Sequence, residues 1–245
     1  MSTQRSILLL IFTALFLILL PASTPLYCQS VETLAIGFSR TTISADGEEQ
    51  IQGILYFQAP EDVLIKVKSP VLQWTVFEGT DLLIYYPREG KAFRFISRNR
   101  LMIPFAQSFI GLVRDDFGLS DAGFILTENR KRADILITVW SAPRALRSYI
   151  GEAHIGTQKG IREVHPLYLE IYDPRGKMLT RVTYLDYLED LEPSFPARIL
   201  IQQKNGEKEI REEIRYFDHR INESLPREVT DFELPADVSV EELKW

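Results

Sequence analysis

One cysteine, Cys28, occurs among 245 residues, and it lies within the first thirty. Once that stretch is removed, or Cys28 is acylated, the chain can form neither a disulfide nor a thiolate metal site. Histidine is nearly as scarce. His154, His165 and His219 show none of the zinc spacings such as H-x-x-x-H, and each reads as an exposed loop or strand-end residue. A G-x-S-x-G nucleophile elbow and a phosphate-cradling glycine loop are both missing. An excess of positive charge is missing too: 28 Lys and Arg stand against 34 Asp and Glu, a net charge of −6. Such a chain is a poor polyanion binder, which argues against nucleic acid. The carboxylates of Asp186, Glu189, Asp190 and Glu192 lack the D-x-D-x-D spacing of a calcium loop and read as a solvated acidic turn. The expectation is therefore a protein without catalysis, cofactor or metal. With no internal repeat, low-complexity tract or interdomain linker, residues 31–245 are expected to make one domain with a sizeable core.

Long apolar runs are limited to one, Ile7 to Leu20, preceded by Arg5 and ended by Pro21. A spanning helix needs about 18 or more residues, so this run is short for an anchor and suited to a secretory signal. Cys28 and Ser30 supply small residues at the −3 and −1 positions of a cleavage site before Val31. The reading is a signal peptide over 1–30 and export with cleavage. Two alternatives stay open: a lipid-anchored form through Cys28, against which Tyr27 sits where a small residue is usual, and an uncleaved anchor. Removing 1–30 deletes Arg5 and no acid, which leaves the chain one unit more negative.

What the chain has is alternation. Residues 53–87 hold four apolar runs separated by proline, glycine and acidic breaks, the pattern of a β-meander. Val63, Ile65 and Val67 alternate with Lys66 and Lys68. Leu72, Trp74 and Val76 alternate with Gln73 and Thr75, and Gly79 marks a hairpin corner. Ile54 to Phe57 and Leu82 to Tyr86 are apolar on both sides, so these strands need cover on two faces or line a cavity. Phe93 and Phe95 alternate with Arg94 in a further strand. This phasing expects Val63, Ile65, Val67, Leu72, Trp74, Val76, Phe93 and Phe95 to share one interior, with Lys66, Lys68 and Arg94 outside.

Before the meander, Asp46-Gly47 signals a hairpin, so the domain is expected to begin on a strand. After it the period changes: Phe105, Phe109, Leu112 and Val113 recur at helical spacing behind Pro104, which predicts a helix packed on the sheet. From Ala133 onward at least five more antiparallel strands follow, with DPRG and Asn205-Gly206 turns, and Glu209, Arg211 and Glu213 alternate with Ile210 and Ile214 as a solvated face. The fold class expected is α+β, a strongly curved antiparallel sheet forming an incomplete β-barrel with a helical cover.

Gly53, Phe57, Pro60, Pro70, Glu78, Gly79, Leu82, Tyr85 and Pro87, together with the closing segment LPREVTDFELPADVSVEEL, resemble the periplasmic lipoprotein carriers of the LolA family and their outer-membrane partner LolB. The resemblance implies a LolA-like domain over 31–245 whose cavity holds acyl chains, and it gives the helix with Phe105 and Phe109 the part of a lid. It also implies partners: acyl chains of lipoproteins or other lipids, an inner-membrane release complex and an outer-membrane acceptor. Two departures stand out. The family's opening helix is replaced by a strand, and Ala59 stands where the carrier has an arginine. The function expected is a carrier that ferries lipoproteins or another lipid towards the outer membrane. Two alternatives are a sensor module of the same fold that binds lipids and a regulator, and an envelope hydrolase with a scattered site.

Overall fold

The computed structural model describes residues 31–59, 62–78, 81–96, 116–160, 164–188, 195–205 and 208–244. The first hairpin pairs β1 (Thr33–Ser44) with β2 (Gly47–Gln58), with Ser44 opposite Gly47. Its two-residue corner is Ala45-Asp46, one position before the expected Asp46-Gly47, and Gly47 takes φ +128 as the chain re-enters the sheet. The meander continues antiparallel through β3 (Asp62–Ser69), β4 (Gln73–Glu78), β5 (Asp81–Tyr86) and β6 (Lys91–Ile96).

The second half adds β7 (Ile125–Arg132), β8 (Ile135–Ser141), β9 (Glu152–Lys159), β10 (Val164–Tyr172), β11 (Met178–Leu188), β12 (Phe195–Asn205) and β13 (Lys208–Ile221). The DPRG turn between β10 and β11 is closed by Asp173, whose Oδ1 accepts the Arg175 and Lys177 amides at 2.8 Å, with Gly176 at φ +78. Long β13 pairs with β1 and joins the two halves. A final strand, β14 (Ser239–Lys244), runs parallel to β6. All fourteen strands make one curved sheet ordered β14-β6-β5-β4-β3-β2-β1-β13-β12-β11-β10-β9-β8-β7, whose ends, β14 and β7, do not pair.

The expected helical cover is not supported among the described residues. Among the described residues the one helix is α1 (Arg227–Thr230), of four residues, and the predicted helix at Pro104–Val113 lies outside them. Among the described residues, what packs on the concave face is irregular chain. The turn at 116–123 buries Phe117 and Leu119 there, with Phe117 edge-on to Tyr184 at 5.7 Å, and Phe124, Ala142, Leu146 and Ile150 join the same core. Burying such a side chain contributes about 1.5–3 kcal/mol without any need for helix.

The register divides the sheet into two faces. Leu34, Ile36 and Phe38 of β1, Leu55 and Phe57 of β2, Val63, Ile65 and Val67 of β3, and Ile155, Leu169, Val182, Ile199, Ile201 and Ile214 across β9–β13 share the inner core. Gly53 belongs to this face for a steric reason. A Cβ there would lie 2.4 Å from the Lys66 carbonyl oxygen and 2.8 Å from the Phe38 ring.

The outer face of β2–β6 has its own cover. Residues 222–238 cross it as a strap, placing Leu225, Val229, Phe232, Leu234 and Val238 over Tyr56, Leu64, Trp74, Val76, Leu83, Tyr85 and Ala92. Phe232 lies tilted over Trp74 at 5.1 Å, and the Lys66 ammonium lies 4.4 Å from the Trp74 ring centroid and 2.9 Å from Glu228 Oε1. This second layer explains why β2 and β5 are apolar on both sides.

Candidate functional site

The inner face is not evenly filled. On β1–β3 and β9–β13 it is buried core. On β4–β6, Thr75, Phe77, Ile84, Tyr86, Phe93 and Phe95 are half-buried. Pairing brings Phe77 opposite Leu82, Leu82 opposite Phe95, and Ile84 opposite both Thr75 and Phe93, so these side chains form one apolar wall. Tyr86 and Phe93 meet edge-on at 6.1 Å. A six-residue strand is about 20 Å long, so this wall offers a continuous apolar surface on the scale of an acyl chain.

The eight residues expected to share one interior separate into groups. Val63, Ile65 and Val67 face inward but lie in the packed core, at 4–7% exposure. Phe93 and Phe95 face inward on the half-buried wall. Trp74 and Val76 correct the expectation: Trp74 is opposite Lys66 and Val76 opposite Leu64, on the outer face beneath the strap. The inner residues of β4 are Gln73, Thr75 and Phe77. Leu72 precedes β4, outside the strand. Lys66 lies on the outer face as expected, although the strap covers much of it. Phe105 and Phe109 lie outside the described residues, as do Cys28, Gly79, Glu189, Asp190 and Glu192.

The histidines lie within two residues of a strand end, in line with one expected position, but they are not exposed. All three are half-buried within strands, against Tyr172 (His154, 4.8 Å), Tyr187 (His165, 4.4 Å) and Phe195 (His219, 5.3 Å).

At one end of the inner face sits a polar group that sequence reading missed. Arg40 of β1 faces Glu212 of β13, with Nε 3.6 Å from Oε2, and Gln203 of β12 donates to Glu212 Oε1 at 3.3 Å. Burial holds the Glu212 carboxyl above its usual range, and Arg40 draws it partly back. The signal was present, since Glu212 stands two residues from both Ile210 and Ile214 and shares their face.

Solved structures resemble this arrangement. A LolA superfamily protein from Nitrosomonas europaea superposes with a TM-score of 0.55 at 16% identity, over 81% of this chain and 89% of that one. A domain described as an outer membrane lipoprotein-sorting protein, from Vibrio parahaemolyticus, gives 0.54 at 14% identity over 81% and 89%. The chain has a LolA-like fold. A DUF1329 family protein from Desulfovibrio piger matches the same LolA-like sheet with a TM-score of 0.58 at 11% identity, over 82% and 90%. No family model and no curated protein matches the sequence. Within the LolA-like fold, the described part of this chain opens on strand β1, and Ala59 closes β2, its amide donating to the Glu32 carbonyl at 2.8 Å. Among the described residues no helix is long and apolar enough to cross a membrane.

Proposed function

We propose that residues 31–245 are an exported carrier domain that holds acyl chains of lipoproteins, or of another lipid, against the inner wall of β4–β6 and ferries them towards the outer membrane. The observation that carries this reading is the contrast along one face: the same sheet is fully packed at β1–β3 and half-buried at Phe77, Ile84, Phe93 and Phe95. The likeness to lipoprotein-sorting folds supports the class of cargo. On this reading Val63, Ile65 and Val67 are the floor beside the wall, and Phe105 and Phe109 cover it. Residues 1–30 act as the signal that sends the chain to the periplasm.

The energetics suit a carrier that does no chemistry. Each methylene taken from water contributes about 0.8 kcal/mol, so a chain of roughly fourteen methylenes would cost on the order of 11 kcal/mol to expose. A groove that comes near membrane burial lowers this barrier, and handover then follows small affinity differences between donor, carrier and acceptor. Native mass spectrometry of the protein isolated from its own envelope tests the proposal. A lipid or acylated protein should accompany it, and a ligand-free protein that also takes up no long-chain acyl probe would refute the reading.

A further inference from the structure

The outer face carries a second concavity, remote in character from the apolar wall. It is an open cleft of about 460 Å³ across β3, β2, β1 and β13, within the size range of small-molecule sites. Two irregularities of the sheet meet there. In β3 the register shifts between Gln52–Ser69 and Gly53–Val67, leaving Lys68 as an extra residue. In β13 it shifts between Ala35–Arg220 and Gly37–Phe217, so that Asp218 and His219 together oppose Ile36. The two bulges lie within two residues of one another along the β1–β2 ladder, where Gly37 pairs with Ile54 and Phe38 with Gly53.

Bulges re-aim side chains, and strained backbone within a strand points to use rather than to packing. Asp218 has φ +53, a left-handed conformation inside a long strand, near its C-terminal end. Phe217 lies over Gly37 so closely that a Cβ there would sit 2.4 Å from its ring, yet 43% of Phe217 remains exposed. The cleft thus has an aromatic surface from Phe217, an aliphatic one from Ile54, and Lys68 and Arg220 in its lining. Neither cation forms an ion pair among the described residues, and the lining also holds Asp218 and His219. In a chain of net charge −6 these two cations are a local feature, without a general field for anions behind them.

We propose that this cleft binds a phosphate-type oxyanion carried beside an apolar body, the anion between Lys68 and Arg220 and the body against Phe217 and Ile54. Arginine and lysine donate charge-assisted hydrogen bonds to such a group. The chemistry is shared by free phosphate and by an anionic phospholipid headgroup. The site is separate from the acyl-binding wall and stands or falls independently of it.

Titration of the purified chain followed by amide NMR tests the proposal, with inorganic phosphate, dihexanoyl phosphatidate and dihexanoyl phosphatidylcholine as probes. Phosphate or phosphatidate should shift the amides of Gly37, Gly53 and Asp218 saturably. Arg220→Gln and Lys68→Gln should each weaken binding roughly tenfold, the loss of one charge-assisted hydrogen bond. Tighter binding of phosphatidate than of phosphate assigns the headgroup as source, and equal binding assigns the free anion. Three results would overturn the site: no saturable shift with either anion, equal binding of the choline lipid, or shifts confined to Ile84 and Phe93. If a variant fails to fold, competition in the wild-type chain decides, because rising chloride must displace a phosphate held by these cations.

Discussion

Phe93 and Arg94 are neighbours in β6, yet one faces the proposed acyl wall and the other the outer face, opposite Leu83. Replacing each in turn by glutamate therefore changes charge at nearly the same place in the chain but on different sides of the sheet. Phe93 is half-buried, beside Ile84 and edge-on to Tyr86, so its loss should cost about 1–2 kcal/mol of stability and leave the fold intact. Binding should suffer more. A carboxylate on the wall denies an acyl chain contact over about three methylenes, about 2.4 kcal/mol, which weakens binding roughly fiftyfold. The assay is titration of lipid-free protein with a fluorescent long-chain fatty acid, with denaturant unfolding run beside it to establish that each variant is folded. Arg94→Glu should keep affinity within about threefold, as expected of a charge outside the groove. Equal losses from the two variants, or no loss from Phe93→Glu, would refute the assigned wall. Ile65 cannot serve in its place, because at 4% exposure a carboxylate there would unfold the core.

Four further outcomes are expected. Glu212→Gln should stabilise the protein at neutral pH: with its folded pKa raised by burial, Glu212 favours the fold below the usual carboxylate range and opposes it increasingly as pH rises through the raised value, and that part of the pH dependence should vanish from urea unfolding curves. Phe232→Ala removes the ring that lies against Trp74 from a half-buried position and should cost about 2 kcal/mol, lowering Tm by roughly 4–8 °C in calorimetry and speeding amide exchange in β14. Gly53→Ala should destabilise by about 1–3 kcal/mol in the same scans, because the atom it strikes first is the Lys66 backbone carbonyl. Tyr172 is pushed up to about 12 by burial and then by its hydrogen bond to Glu170 at 2.6 Å, so stability present below the ordinary tyrosine range should fall between about pH 10 and 12, and Glu170→Gln should bring its ultraviolet titration down.

The local pattern determined a good deal. Alternation in β3 assigned Val63, Ile65 and Val67 inward and Lys66 outward because side chains on a strand have period two. Glycine, proline and aspartate marked the hairpins at Asp46 and at Asp173–Gly176 because few residues adopt those backbone angles. Parity also held the clue to Glu212.

Tertiary structure decided what parity alone cannot. Trp74 and Gln73 alternate equally well with either on the inside. The choice fell to the strap, which gives the outer face an apolar cover of its own and so allows the larger side chain to point outward. Edge strand β7 carries no buried face, so its ILTENRKR shows no alternation to read. Strand β14 is acidic and pairs parallel with β6 across nearly the whole second half of the chain, a contact no local window contains. Of the two bulges that place Lys68 and Arg220 around one cleft, the one in β3 forms against its sequence neighbour β2, and the one in β13 forms against β1, far away in sequence. Only the assembled sheet brings them together.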